Sequence, residues 1–218
     1  MPDRLKLAVL ISGRGSNLQA LIDATLQPGF PAEIARVISN EPGAGGLERA
    51  AAAGIPTQVI PHRDHPDRES FEAVLDREIR ASGAELIALA GFMRLLTAGF
   101  VTAWRDRLIN IHPSLLPAFK GLHTHERALE AGVRFTGCTV HYVRPEMDEG
   151  PIIVQAAVPV LPADTADSLA ERVLAQEHII YPHAVRLIAE GKVRVDGERA
   201  LVDGDGTEPA GATINPAP

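Results

Sequence analysis

An α/β fold, with a mostly parallel central sheet and helices on both faces, is what this sequence predicts. Three observations predict it. Leu5–Ile11 is a near-continuous apolar run, as expected of a parallel strand buried on both faces. Behind it, short apolar runs alternate with segments of helical spacing, the signature of strand–helix–strand units. Unusual polar loops then follow three of the predicted strands, where open α/β sheets bind ligands.

The elements follow in order. Residues 12–17 (Ser12-Gly13-Arg14-Gly15-Ser16-Asn17) form a tight turn, and 18–26 continue with helical spacing. Residues 34–38 read as the second strand, 46–53 as an Ala-rich helix and 57–60 as a third apolar segment. Phe71, Val74, Leu75, Glu78 and Ile79 give the next helix its 3–4 period. Residues 86–90 and 108–111 are buried-strand candidates, with a helix over 95–104 between them. In the second half, 126–130 extend a short helix, and 135–143 and 152–160 read as strands flanking a loop that carries Asp148. Pro159 suits a strand end or edge. Residues 168–180 form an amphipathic helix, kinked or restarted at Pro182. Residues 193–195 and 200–202 form a small hairpin. No repeat or linker divides the chain, so residues 1–203 are expected to be one domain. The Gly/Pro/Ala-rich tail, 204–218, is expected to be disordered.

Bulk properties narrow the function classes. The chain has 218 residues, 45% of them hydrophobic, enough for one sizeable core. Its formal net charge of −7 argues against nucleic acid as a partner but leaves a small anionic substrate open. No apolar run approaches the ~20 residues needed to cross a bilayer. Met1 leads into the first strand without a signal-peptide pattern, so a cytoplasmic protein with no membrane partner is expected. The lone cysteine, Cys138, excludes an intrachain disulfide and sits in a strand-like run where buried packing is the better reading.

The chemistry concentrates in Asn110-Ile111-His112-Pro113-Ser114-Leu115-Leu116-Pro117. Asn110 and His112 are two apart, so on an extended backbone they share a face. An amide N–H and a protonated imidazole are suitable donors to a developing oxyanion. A carboxylate nearby, with Asp148 the candidate, would raise the His112 pKa by favouring the charged ring. Ser114 has no obvious base and reads as a loop residue. Gly13-x-Gly15-Ser16-Asn17 is neither a dinucleotide fingerprint nor a Walker motif. Its backbone N–H groups at a helix N-terminus suit a phosphate, but an ordinary turn with Ser16 or Asn17 as N-cap fits equally well. Arg14 could add charge there or point into water. Glu177 lies within the apolar arc of its helix, either at the fringe or facing a polar ligand group. His123-x-His125 has no clear third ligand and reads as loop, so no metal is expected. His62 and His65 are expected to be solvated.

Together these motifs resemble the folate-dependent formyltransferases. Asn110 to Pro117, Gly121-Leu122-His123-Thr124-His125 and the run from His141 through Asp148 to Gln155 carry the resemblance. The runs Ile11–Ala20 and Ala90–Leu96 narrow it to the branch acting on a small ribonucleotide. It covers about Leu7 to about Ile188. It implies a Rossmann-like formyltransferase fold and transfer of the formyl group of 10-formyltetrahydrofolate, a co-substrate, to the glycinamide amine of 5'-phosphoribosylglycinamide in purine biosynthesis. Carried over, Asn110, His112 and Asp148 match the catalytic trio. Gly15, Ser16 and Asn17 match the phosphate segment, and Glu177 the acid that meets the ribose. Met93, Arg94, Leu95 and Leu96 match the folate wall, with Asn110 also reaching the folate; Arg68 and Arg94 match basic residues near its glutamate tail. Small molecules are the expected partners, on a monomer or homodimer.

Three rivals are weaker. A hydrolase with the same trio carries an extra N-terminal domain, expected to be absent because the first strand begins at Leu5. A transfer-RNA-acting relative needs a further C-terminal domain and basic surface. A non-catalytic nucleotide-binding module explains the turn at Gly15 but leaves the trio without a purpose.

Overall fold

Burial alternates along the first strand between two separate apolar clusters. Leu7, Val9 and Ile11 belong to one and Ala8 and Leu10 to the other, all 0% exposed. From Leu7 onward water reaches neither face of this strand, which explains its lack of polar alternation. The computed structural model describes residues 4–203 and Asn215. The tail expected to be disordered, from residue 204, lies outside the described residues except for Asn215.

In chain order the elements are β1 (Leu5–Ile11), α1 (Ser16–Thr25), β2 (Ala32–Ser39), α2 (Gly45–Ala52), β3 (Thr57–Val59), α3 (Arg68–Ala81), β4 (Leu86–Leu89), α4 (Ala98–Ala103) and β5 (Leu108–His112). Then come α5 (Thr124–Glu130), β6 (Phe135–Tyr142), β7 (Ile152–Pro159), α6 (Ala166–Ala189), β8 (Val193–Asp196) and β9 (Arg199–Val202). One seven-stranded sheet has the order β3-β2-β1-β4-β5-β6-β7. The strands from β3 to β5 pair in parallel, while β6 and β7 are antiparallel to their neighbours. Helices α1, α2, α5 and α6 cover one face and α3 and α4 the other. The predicted α/β class therefore holds. Strand order reverses between β1 and β4, so the ends of these strands flank the crevice where such sheets take ligands.

The antiparallel pairing has a consequence for the site. Ile109 lies opposite Tyr142 and His112 opposite Thr139. The β6–β7 loop thus leaves the sheet beside the start of β5, about 13 Å below His112 at a strand rise near 3.3 Å per residue. To approach His112, that loop must double back along β5.

Two differences from the sequence reading go beyond a residue or two at an element end. The helix expected from residue 95 begins at Ala98. Thr97 is its N-cap, accepting from Phe100 N at 3.3 Å, and the buried Glu72 carboxylate accepts from both Thr97 N (2.7 Å) and the Thr97 hydroxyl. These bonds hold residue 97 extended and leave Leu95 and Leu96 in the preceding loop. The second difference is that α6 does not restart at Pro182. Proline deprives one carbonyl of its helical donor, but Tyr181, Ala184 and Val185 are 0% exposed and fix the helix on both sides. The Tyr181 hydroxyl also donates to Leu89 O at 2.8 Å, pinning α6 to β4. The small hairpin, β8–β9, forms as expected.

Candidate active site

The β1–α1 turn is shaped by Gly15. At φ +72° it occupies the left-handed region, and a Cβ there would lie 2.6 Å from Gly46 Cα. Glycine is needed for both reasons. Gly15, not Ser16 or Asn17, is the N-cap, and no side chain caps the helix. The first-turn N–H groups are thus not taken by a capping side chain and suit an anion. Asn17 Nδ2 instead donates to Glu177 Oε2 at 2.7 Å, tying the turn to α6. Glu177 is only 6% exposed, and burial pushes its carboxyl pKa up, with the Asn17 bond pulling it back. Asn17 Oδ1 is buried with no partner among the described residues. The turn and Glu177 line one cavity of about 790 Å³, together with Gly91, Met93 and His125.

Ser12 joins this turn to the loop after β4. Its N–H donates to Gly91 O (3.1 Å), and its hydroxyl accepts from Met93 N (2.8 Å) while donating to Asn40 Oδ1 (2.5 Å). The Asn40 amide meets His62 Nδ1 at 3.0 Å. His62 is therefore not a solvated loop residue as the sequence suggested: its side chain is 14% exposed and faces Glu41 at 3.7 Å. The tethered loop presents Met93 and Leu95 outward, 69% and 64% exposed, while Leu96 packs on the α3/α4 core. Met93 lines the cavity; Leu95, Leu96, Arg94 and Arg68 do not. Arg94 is half-buried and Arg68 exposed at the start of α3.

Asn110 and His112 lie at the end of β5, on the face opposite Ile109 and Ile111. His112 is 5% exposed. Its Nδ1 lies 3.5 Å from Asp148 Oδ1, and its Nε2 lies 3.1 Å from Phe119 O. A ring with protons on both nitrogens therefore has an acceptor for each. Asp148 is held in turn: its Oδ2 accepts from Gly121 N at 2.6 Å, and its own backbone is left-handed at φ +51°. The structure thus brings the predicted acid to the predicted imidazole. The cavity reaches this strand end through Ile111 and Pro113, and the three polar side chains stand beyond that lining.

Sequence reasoning missed His141. It pairs with Asn110 across β5–β6, and its Nε2 lies 3.4 Å from Asn110 Nδ2. Its Nδ1 donates to Tyr142 O at 2.9 Å. Burial lowers its pKa, so the neutral ring accepts the Asn110 amide and fixes which way that amide turns. Its position in an apolar strand gave no signal beyond a polar residue facing the sheet. His125 was also underrated. It sits in the first turn of α5 and lines the cavity, with Nδ1 buried and unpartnered among the described residues. Ser114 is structural, its hydroxyl donating to Ala118 O at 2.6 Å. Cys138 is buried.

Comparison with known proteins places this geometry. The formyl transferase family model matches residues 5–185. The chain is 56% identical over 193 residues to the trifunctional purine biosynthetic protein adenosine-3 of Drosophila pseudoobscura pseudoobscura, covering 88% of this chain and 14% of that protein. It thus spans about a seventh of that relative's length, and about a fifth of the trifunctional protein of Homo sapiens. To the phosphoribosylglycinamide formyltransferase of Escherichia coli K12 it is 44% identical over 207 residues, covering 95% of this chain and 98% of that protein. The crystal structure of glycinamide ribonucleotide transformylase 1 from Symbiobacterium toebii superposes with a TM-score of 0.90 at 48% identity, over 93% and 95% of the two chains.

Proposed function

The chain belongs to the formyl transferase family, and on that premise we propose that it formylates the glycinamide amine of 5'-phosphoribosylglycinamide from 10-formyltetrahydrofolate, in de novo purine synthesis. The observation that carries the reading is the joining of Asn110, His112 and Asp148 at the end of β5, within a chain that matches phosphoribosylglycinamide formyltransferases along nearly its whole length.

The uncapped turn at Gly15, Ser16 and Asn17 holds the phosphate through first-turn N–H groups. Glu177, oriented by Asn17, accepts from the ribose hydroxyls. The folate fits the exposed apolar surface of Met93 and Leu95 beside the switch point of the sheet, with Leu96 backing that loop. Arg94 and Arg68 meet its glutamate tail. Bound there, the co-substrate supplies an activated formyl carbon that the glycinamide amine attacks directly.

Asn110 Nδ2–H and protonated His112 then donate to the oxyanion that develops on the formyl oxygen. His112 Nε2 exchanges the Phe119 carbonyl for this oxyanion, while Asp148 at Nδ1 accepts from the ring and keeps it aimed. His141 keeps the Asn110 amide turned outward. As the C–N bond to the folate breaks, the attacking nitrogen loses a proton and the leaving nitrogen gains one, through His112 or a water. The covalent alternative has no support, since Cys138 is buried and Ser114 is bonded to a carbonyl.

Incubation with 10-formyltetrahydrofolate, with and without phosphoribosylglycinamide, tests the proposal. Folate release only with the ribonucleotide supports transfer. Release without it indicates a hydrolase, and saturable binding without turnover indicates a binding module.

A further inference from the structure

We infer that Arg144 is a positioning residue for Asp148, and that the C-terminal β8–β9 hairpin acts on the catalytic loop through it. The inference rests on the proposed role of Asp148. Arg144 opens the loop between β6 and β7, next to Tyr142 and Val143, whose N–H groups bond to Pro151 O and Leu108 O at 2.9 Å each. The Asp148 loop begins here, at the wrong end of β5, and has to fold back about 13 Å to reach His112.

The base of the loop is built to hold that reversal. The Arg144 side chain is only 4% exposed and is clamped by two carboxylates. Its second terminal nitrogen donates to Asp106 Oδ1 at 2.8 Å, just before β5, and its Nε donates to Glu198 Oε2 at 2.8 Å, in the β8–β9 turn. Glu198 also accepts from Arg105 through Oε1 at 2.8 Å, so one carboxylate bridges two guanidinium groups. The buried stem of Arg144 then supports the other end of the loop. A Cβ on Gly150 would lie 2.9 Å from Arg144 Cγ and 2.1 Å from Tyr142 O. Both ends of the segment carrying Asp148 thus close on one side chain, whose charge is held from outside the loop. Loss of this clamp loosens the fold-back, and misplacement of a catalytic group by about 1 Å costs up to about a hundredfold in rate.

Three variants test this, read by hydrogen exchange and by kinetics. Arg144→Met keeps the stem and removes the charge, and the half-exposed Asp106 and Glu198 can then hydrate. The expected result is faster exchange of the 146–150 amides and a kcat lowered about tenfold to a hundredfold, measured well below Tm, with the Kd for phosphoribosylglycinamide unchanged. Arg144→Lys should recover part of the kcat. Should Arg144→Met fail to fold, Glu198→Gln, on a surface carboxylate, should show the same changes in smaller measure. Wild-type exchange over 146–150 in the folded variants overturns the clamp. Faster exchange with wild-type kcat overturns the positioning role. If the wild type itself transfers no formyl group, the proposed function fails, while the exchange measurement still decides whether the clamp exists.

Discussion

Asn17 and Glu177, 160 positions apart in the chain, meet at 2.7 Å and join the β1–α1 turn to the long helix α6. Glu177 is a nearly buried carboxyl whose one side-chain donor among the described residues is Asn17, so its charged form gains little in the free protein.

The sign of that cost can be measured. The folded-state pKa of Glu177 is raised, so the stability linked to this group is full below its unfolded value near 4.5 and is lost as pH rises through the folded value. Glu177→Gln keeps an acceptor for Asn17 and does not titrate. Its Tm should match the wild type at about pH 4.5 and exceed it by about 2–4 °C at about pH 8, in thermal melts across that range. Ribonucleotide affinity should fall about tenfold or more, as for loss of a charged hydrogen-bond partner.

Glu177 also shows what sequence could and could not reveal. Its place within an apolar helical arc marked it as unusual, because helical period is local. Its partner Asn17 depends on how α1 packs on α6, which no spacing encodes. The same division runs through β5. The shared face of Asn110 and His112 follows from the two-residue strand period. The approach of Asp148 depends on a hairpin loop doubling back along β5, and the turn of the Asn110 amide depends on cross-strand register with His141. The strands of the parallel half were legible from their apolar runs. The start of α4 was not, because a tertiary contact from Glu72 sets it.

Gly15 is required twice, by its φ and by the closeness of Gly46. Gly15→Ala should lose about 1–2 kcal/mol from the left-handed backbone alone, with the clash adding to it. Urea unfolding should show the loss, and calorimetry should show weaker phosphoribosylglycinamide binding with folate binding retained.

Ser12, at the end of β1 before the Gly15 turn, bonds Met93 N in the loop after β4 and Asn40 through one hydroxyl; by the proposed function that loop meets the folate. Ser12→Ala frees Met93 N and Asn40 Oδ1 from that hydroxyl. The KM for 10-formyltetrahydrofolate should rise about fivefold, the size of one lost net hydrogen bond, in initial-rate measurements. An unchanged KM would detach Ser12 from the folate loop.

Cys138 is buried beneath α6, and desolvation, with Glu177 adding to it, pushes its thiol pKa up to about 12. A thiol reagent at about pH 8 should leave the native protein unmodified and label one site in denaturant, since only the thiolate attacks. Activity should survive prolonged exposure of the native enzyme to the reagent.

In the proposed reaction Asn110, His112 and Asp148 work as one oxyanion-stabilising unit. Its most direct test is kcat for Asn110→Ala, His112→Ala and Asp148→Asn, with the Kd for phosphoribosylglycinamide measured alongside. Loss of one oxyanion donor typically costs about 100–1,000-fold in rate. Falls of that order are expected in all three variants, with the Kd within about threefold of wild type; near-normal kcat in all three would overturn the shared role of these side chains.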